Sequence, residues 1–411
     1  MRAIVGMLVF FLLQQAMAGE HSIKGLVDIR AHVVDSNANV DSYLTGDYGK
    51  FRFNDEAGIA LGQLGLQYHG SFDHNLSVKV VANAFADEVS TEFGLTEAFI
   101  QYKSLPSASG WRFKGKLGIF YPLISLENNA TAWSTVNTIT SSTLNNWVGE
   151  EFRHAGVAFS FEKLGKFVNS PHNLLLDVSL FQNNDTAGAM LTWHGWALGS
   201  RQTLLQEKLT VQKFPARYDL LSAQAAHSDP FVELDDRWGG HIVGQWQVQN
   251  KFKLNLGYYN NNAEKGLVKQ GQYTWTTDFI HGGLKYKLAK GTELIAQFMT
   301  GNTLMTSPLN EKVVYNDFDN AFVLLRKQFA RHQISTRIEV FSVDDLDDTV
   351  GDNNNEDGHA FTLSYRYQLN RQQYLLAEYN WLSSERKSRA YQNQAEGLIE
   401  EQYQIAYRYY F

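Results

Sequence analysis

The 411-residue sequence contains no cysteine and only 6 prolines, and beyond its N-terminal segment it has no apolar run long enough for a membrane-spanning helix. Without cysteine, neither a disulfide framework nor a thiolate metal site is available. Without an uninterrupted stretch of about 20 apolar residues, no helical span is expected after the leader. Scarce proline has the opposite meaning: it leaves room for long, continuous strands. What the chain does have is aromatic residues, 13% of the total, with Tyr 20, Phe 26 and Trp 9. These are residues that pleated, half-buried surfaces favour.

The opening stretch "MRAIVGMLVFFLLQQAMAGE" carries Arg2, an apolar run from Ala3 to Leu13 and the small-x-small triplet Ala16, Met17, Ala18. That pattern predicts a secretory signal over 1–18, leaving 19–411 as a single exported domain. At the other end, "EEQYQIAYRYYF" alternates Tyr403, Ile405, Tyr407, Tyr409 and Phe411 with Gln402, Gln404 and Arg408. The two-residue period is that of a strand with one apolar and one wet face.

Similar alternating segments recur along the whole chain, about sixteen in number, an even count as a closed barrel needs. The connections alternate between short ones ("GSFD" near 70, "QNK" near 250, "AKG" near 289, "NR" at 370) and long ones near 34–56, 121–149, 184–235, 262–272, 301–314, 344–357 and 385–399. Tight turns at one rim and long loops at the other predict an all-β transmembrane antiparallel barrel with short periplasmic turns and long extracellular loops. A soluble β sandwich has no reason to keep that asymmetry. In hydrocarbon every backbone N–H and C=O needs a protein partner, so the last strand must pair with the first. The insertion at 184–235 leaves an alternative open: another hairpin there makes eighteen strands, and its segment from Tyr218 to Ala226 has helical character.

The alternation also assigns faces. Val78, Val80, Ala82, Ala84, Trp111, Phe113, Leu117, Ile119, Phe361, Leu363, Tyr365 and Tyr367 fall on the lipid side. Basic residues predominate on the lumen side: Lys79, Lys103, Arg112, Lys114, Lys116, Lys253, Lys285, Arg326, Arg337 and Arg366 are the candidate pore-lining cations, joined by Lys24, Arg30, Lys287 and Arg408. About fourteen cations then face about six carboxylates (Asp28, Glu97, Asp177, Glu293, Glu339, Glu378), an assignment any bulge inverts locally. Like-signed charges in a low-dielectric passage concentrate counter-ions, so the lumen predicts a preference for anions. The competing reading is structural pairing across the wall, for which Arg337 with Glu339 and Arg366 with Glu378 are the candidates.

The third long connection, 121–149, read in the stretch "PLISLENNATAWSTVNTITSSTLNNWVGEE", follows the fifth strand, is rich in Ser, Thr and Asn, and is the candidate constriction, through Glu127, Asn128, Asn129, Trp133 and Asn137. With this loop the chain resembles the sixteen-strand porins of Gram-negative outer membranes, whose third external loop folds into the channel. "KLGIFYPLISLEN" and "DPFVELDDRWGGHIVGQWQ" are similar to stretches of the phosphate-selective porin group, in which basic ladders guide anions. Here Arg112, Lys114 and Lys116 share one face, without a long arginine ladder. The terminal Phe411 resembles the signature by which assembly machinery recognises outer-membrane clients. The resemblance implies a cell outer-membrane porin for passive diffusion of small hydrophilic, preferentially anionic solutes.

The partners it implies are outer-membrane lipids, lipopolysaccharide and the barrel assembly machinery; no cofactor and no nucleic acid are expected. A homotrimer is one way to bury part of the apolar outer wall. The loop "SVDDLDDTVGDNNNEDG" places its glycine wrongly for a calcium loop and reads as a solvated acidic loop bridged to lipopolysaccharide by divalent cations. A non-conducting structural or adhesive barrel is the alternative. An outer-membrane lipase or protease is a weaker one, because His154, His241 and His281 have serines near them but no spacing that pairs them into a nucleophile and base.

Overall fold

A computed structural model describes residues 19–54, 57–86 and 91–411; the expected leader, 1–18, and the connection at 87–90 lie outside the described residues. The chain forms one closed antiparallel barrel of sixteen strands. In chain order they are β1 (Glu20–Ser36), β2 (Ala57–Ser71), β3 (Leu76–Ala86), β4 (Thr91–Lys103), β5 (Trp111–Phe120), β6 (His154–Lys163), β7 (His172–Gln182) and β8 (Gly239–Val248). They continue as β9 (Phe252–Asn260), β10 (Trp275–Ala289), β11 (Thr292–Thr306), β12 (Lys312–Phe329), β13 (His332–Asp345), β14 (Glu356–Gln368), β15 (Gln373–Arg386) and β16 (Gly397–Tyr410).

Closure is made by β1 and β16, which pair from Leu26 with Tyr410 to Ser36 with Glu400. Phe411 follows the last strand and exchanges backbone hydrogen bonds with Gly25 at 2.9 and 3.1 Å. The Phe411 ring lies across Gly25, where a Cβ would oblige the ring to move. Along β16 the alternation holds: Tyr403 and Ile405 are exposed while Gln402, Gln404 and Arg408 are buried. Leu117, Phe298, Val323, Ile338 and Leu363 likewise face outward. At the turn rim Phe329 stacks on His332, Tyr409 on Phe411, and Trp246 meets Phe252, an aromatic belt of the kind that marks a membrane interface.

Three departures from the sequence reading have local causes. Strands extend further than hydrophobic alternation shows, so the connection expected at 301–314 is only the turn after Thr306, and β12 begins at Lys312. The insertion between β7 and β8 adds no wall strand: its small ladder, Leu209–Thr210 with His227–Ser228, stays apart from the barrel, which decides for sixteen over eighteen. Tyr218 to Ala226 is not a helix. A 3-10 turn at Pro215–Tyr218 comes first, and only turns and irregular backbone follow. Register shifts are concentrated in β1 to β4, where one beside Val81 leaves both Thr96 and Glu97 buried.

A clamped loop and a basic vestibule inside the barrel

Inward-pointing side chains meet two environments. In the periplasmic half of the lumen, β5 presents Arg112, Lys114 and Lys116 on alternate positions. Arg112 Nε donates to Glu162 at 2.5 Å, and Lys114 pairs with the same carboxylate. Lys79 pairs with Glu97 at 2.7 Å, while Lys285 and Arg326 each lie 3.4 Å from Glu293. Five cations therefore share three carboxylates.

The remaining lower-half lysines have no such partner. Lys116 rests over the rings of Phe99 and Phe120, at 5.2 and 5.3 Å. Lys253 stands opposite Lys285, and Lys103 opposite Lys114. Among the described residues Lys24, Lys103, Lys116 and Lys253 make no ion pair. A cavity of about 550 Å³ opens in this half between Lys24, Lys79, Arg366, Tyr374 and Tyr410 on the wall and Asn129 and Thr131 of the third long loop. Its charged lining residues, Lys24, Lys79 and Arg366, are all basic, which makes it a positively charged vestibule.

Its ceiling is that loop. Residues 121–153 fold inward from β5, and helix α1 (Thr143–Glu151), capped by the Ser142 side chain on Asn145 N, is buried over its whole length. Wall charges hold the loop by its backbone. Glu378 accepts from Ile139 N at 2.5 Å, Thr140 N at 2.9 Å and the Thr140 hydroxyl at 2.7 Å. Glu339 accepts from Thr143 N at 2.7 Å. Arg337 donates to Thr140 O and Ser141 O, both at 3.0 Å, and Arg408 to Thr135 O at 3.0 Å and Ile139 O at 3.2 Å.

Strain marks the loop tip. Ala132 and Trp133 both lie in the left-handed region at φ 54° and 58°, a conformation non-glycine residues adopt only under constraint. The constraint is visible: Gln63 and Gln202 donate to Ala132 O at 2.9 and 3.2 Å, and Trp133 stacks on Tyr121 at 4.2 Å.

The expected constriction residues are all here in differing roles. Glu127 accepts from Ser142 N at 2.5 Å, and Asn128 donates to Ser141 Oγ at 2.9 Å, so both fold the loop on itself. Asn137 is buried, and its carbonyl accepts from Gln333 at 3.4 Å. Asn129 alone of the five is exposed, toward the vestibule. Of the two proposed wall pairs, Arg337 with Glu339 is present at 2.6 Å. Arg366 with Glu378 is not: Arg366 donates to Val136 O and Gln333, because Glu378 is committed to the loop.

Above the loop the lumen is packed with aromatic side chains. Trp147, Phe152, Tyr259, Phe279, Phe318 and Trp196 form one buried cluster with ring separations of 4.7 to 6.4 Å. The first half of the 184–235 insertion enters the barrel mouth, with helix α2 (Ala189–His194) buried, so that stretch is a filling and only the remainder a cap. Lys50, from the first long loop, donates to His194 O at 2.7 Å and pairs with Glu356, which also takes Arg386 at 3.2 Å. A thin polar seam beside the loop, lined by Arg30, Gln63, Asn128, Ser200 and Arg408, encloses about 10 Å³, roughly the space of a single water.

Burial pushes the carboxyls of Glu127 and Glu151 up to about 7, against Arg337 in the first case and reinforced by Glu150 in the second. Burial lowers the Lys50 amine to about 7 despite Glu356. The acidic stretch near 350 is likewise less solvated than its sequence suggests. Asp345 accepts from Asn354 N and Asp347 from Tyr315 N, and burial raises Asp352 to about 7.

Strand parity alone decides on which face of the wall the lower cations stand. It missed Lys50, Arg153, Gln202 and Gln297, which act on loop backbone and leave no pattern in the chain.

No protein-family model and no curated protein matches the sequence. The fold is nevertheless shared with solved outer-membrane barrels. The outer membrane channel DcaP of Acinetobacter baumannii superposes with TM-score 0.54 at 10% identity, covering 96% of this chain and 97% of that one. OprB of Pseudomonas putida gives 0.51 at 11%, covering 99% and 97%. A loop-deletion mutant of OmpT, an outer membrane protein of Vibrio cholerae, gives 0.51 at 9%, covering 96% and 100%. At these identities the likeness is one of fold: this chain is a sixteen-strand barrel of the outer-membrane type.

Proposed function

We propose that this protein is a channel of the bacterial outer membrane for small hydrophilic solutes, with a preference for anions, held closed at rest by its third long loop. The observation that carries the reading is the uneven charge of the turn-side half of the lumen, where five cations share three carboxylates and four more lysines make no ion pair, and where Lys24, Lys79 and Arg366 line a cavity of about 550 Å³. In a low-dielectric cup such an excess raises the local concentration of anions. The likeness in fold to a protein described as a channel supports the same reading.

Closure by the loop is reversible in kind. The loop is held by hydrogen bonds and ion pairs, each worth about 0.5–3 kcal/mol net, and not by continuity with the wall. Lipopolysaccharide and outer-membrane lipid would surround the barrel, the assembly machinery would read the Phe411 strand, and a homotrimer would cover part of the outer wall. Phosphate is one candidate solute; the geometry itself selects charge, not identity. No catalytic role is proposed: among the described residues the serine–histidine contacts are Ser179 with His154 at 3.1 Å, buried inside the barrel, and Ser71 with His69 at 3.4 Å beside a short turn.

Planar-bilayer recording tests the reading. Reconstituted protein should show discrete openings, and in a salt gradient the reversal potential should move toward that of the anion. A second reading, a non-conducting barrel, is favoured by the aromatic packing above the loop. Silent membranes over a range of voltage and pH, with folded barrel demonstrably inserted, would establish it instead.

A further inference from the structure

Three carboxylates that the channel reading leaves unused meet at the barrel mouth. Asp185 stands near the start of the 184–235 insertion, just after β7, and Glu233 and Asp235 stand at its end, ahead of β8. Each offers one oxygen, and the three oxygens lie within 4.8 Å of one another. Asp185 is 3% exposed, and the other two are half-buried.

Backbone amides fix the group. Leu234 N donates to Asp185 at 2.5 Å, Asn183 N and Asp236 N to Glu233 at 2.8 and 2.6 Å, and Arg237 N to Asp235 at 2.7 Å. A carboxylate has about four lone-pair sites, so these bonds orient the oxygens and leave acceptor capacity over. Among the described residues no lysine or arginine pairs with the three: Lys269, from the neighbouring loop, turns its ammonium onto Leu234 O at 3.0 Å. Clustered carboxylates with one deeply buried are costly without a cation.

A second observation comes from the neighbours. Asn184 Oδ1 and Tyr259 Oη are buried oxygens without a hydrogen-bond partner, on residues 1% and 0% exposed. Asn184 precedes Asp185, and its Nδ2 is tied to Pro230 O and Glu151 O, so its amide is held at this neck. Asp185 is the charge that acts most strongly on the Tyr259 hydroxyl. Buried polar atoms in native structures are nearly always satisfied, and orphaned oxygens beside uncompensated carboxylates call for a ligand that accepts oxygen donors.

We infer that Asp185, Glu233 and Asp235 form a binding site for a calcium ion that staples the two ends of the insertion together. An all-oxygen donor set selects hard cations over the transition metals that prefer nitrogen or sulfur. At a calcium–oxygen distance of about 2.4 Å, ligands on opposite sides of the ion stand about 4.8 Å apart, which is the spread found here. Magnesium, at about 2.0–2.1 Å with strict octahedral geometry, needs a tighter set. The ion closes a long loop at its neck, and the first half of that loop carries the buried α2, so calcium holds the filling in the barrel mouth.

The test uses the full barrel, refolded in detergent free of lipopolysaccharide and titrated with calcium chloride by calorimetry. A dissociation constant on the order of 10⁻⁴–10⁻³ M is expected, as for other extracellular calcium modules. Asp185→Asn and Asp235→Asn should each weaken binding at least tenfold, while Asp348→Asn in the exposed acidic loop should leave it unchanged. Folding of each variant is checked by heat-modifiable gel migration. On the unaltered protein, calcium should slow tryptic cleavage after the exposed Lys208 and Lys213 at least tenfold relative to a calcium chelator. No binding well above that range, binding that survives either replacement in a folded barrel, magnesium binding as tightly as calcium, or equal cleavage rates would overturn the site. Conductance is not a readout, so the site stands or falls separately from the channel.

Discussion

The two halves of the lumen are lined by the same wall, with the same alternation and many of the same residue types, yet their charges are spent differently. Toward the periplasm Arg112, Lys114, Lys285 and Arg326 share two carboxylates, Glu162 and Glu293, which leaves an excess of positive charge. Where the third loop meets the wall, Arg337, Arg408, Glu339 and Glu378 turn their hydrogen-bonding capacity onto the loop backbone, and the field is consumed locally. A buried peptide group costs free energy unless it is paired, and the wall charges supply that pairing. An inward charge on a barrel strand therefore speaks to a solute only where no loop has reached it first.

The largest expected effect comes from breaking the clamp. Glu378→Ala with Glu339→Ala leaves Ile139, Thr140 and Thr143 N–H groups without acceptors, each charge-assisted bond being worth about 1.5–3 kcal/mol. Conductance in planar bilayers should then rise from rare openings to a mostly open channel; unchanged gating would show that the two halves are not distinct in this way.

Next in size is packing above the clamp. Trp147→Ala removes the centre of the aromatic cluster and should destabilise the fold by about 3–5 kcal/mol, measured by urea unfolding of the barrel in lipid. Next comes the charge of the turn-side half. Lys114→Glu with Lys116→Glu should cut the anion-to-cation permeability ratio several-fold, and equal selectivity in the variant would remove these cations as its source.

The smallest effect sharpens the contrast through pH. Glu127 and Glu151 have carboxyls raised from about 4.5 to about 7 in the folded protein, so the folded state holds their protons more tightly than the unfolded chain. Their contribution to closure is full below the unfolded value and is lost as pH rises through 7. Lys50, lowered to about 7, acts oppositely above that point, closure strengthening between 7 and its ordinary 10.5. Open probability should thus rise from pH 5 to 7 and flatten or fall beyond it, and Glu127→Gln should blunt the rise.

Much of the fold was legible in the chain because a strand in a barrel wall has only two faces. The period that put Tyr403 and Ile405 outside and Gln404 and Arg408 inside is local, and so is the short–long rhythm of connections that separates the two rims. The vestibule was legible for the same reason: Arg112, Lys114 and Lys116 alternate within one strand. Arg366 shows where this stops. Its inward direction could be read, but its partner could not, because Glu378 had been taken by Thr140 from a loop more than two hundred residues earlier. His241 and His281 are scattered residues in the sequence; Gly257 on the strand between them lets their rings meet at 2.9 Å, and no spacing rule contains that.

The sequence by itself determined that this chain closes into a cylinder with a lipid-compatible outside and a polar, cation-rich inside, since backbone satisfaction in hydrocarbon and a two-residue period leave no other arrangement. Only the tertiary structure decided that the inside is half vestibule and half core. How far a loop enters depends on whether distant wall groups can pair every backbone donor and acceptor it buries, and that matching exists only once the strands stand side by side.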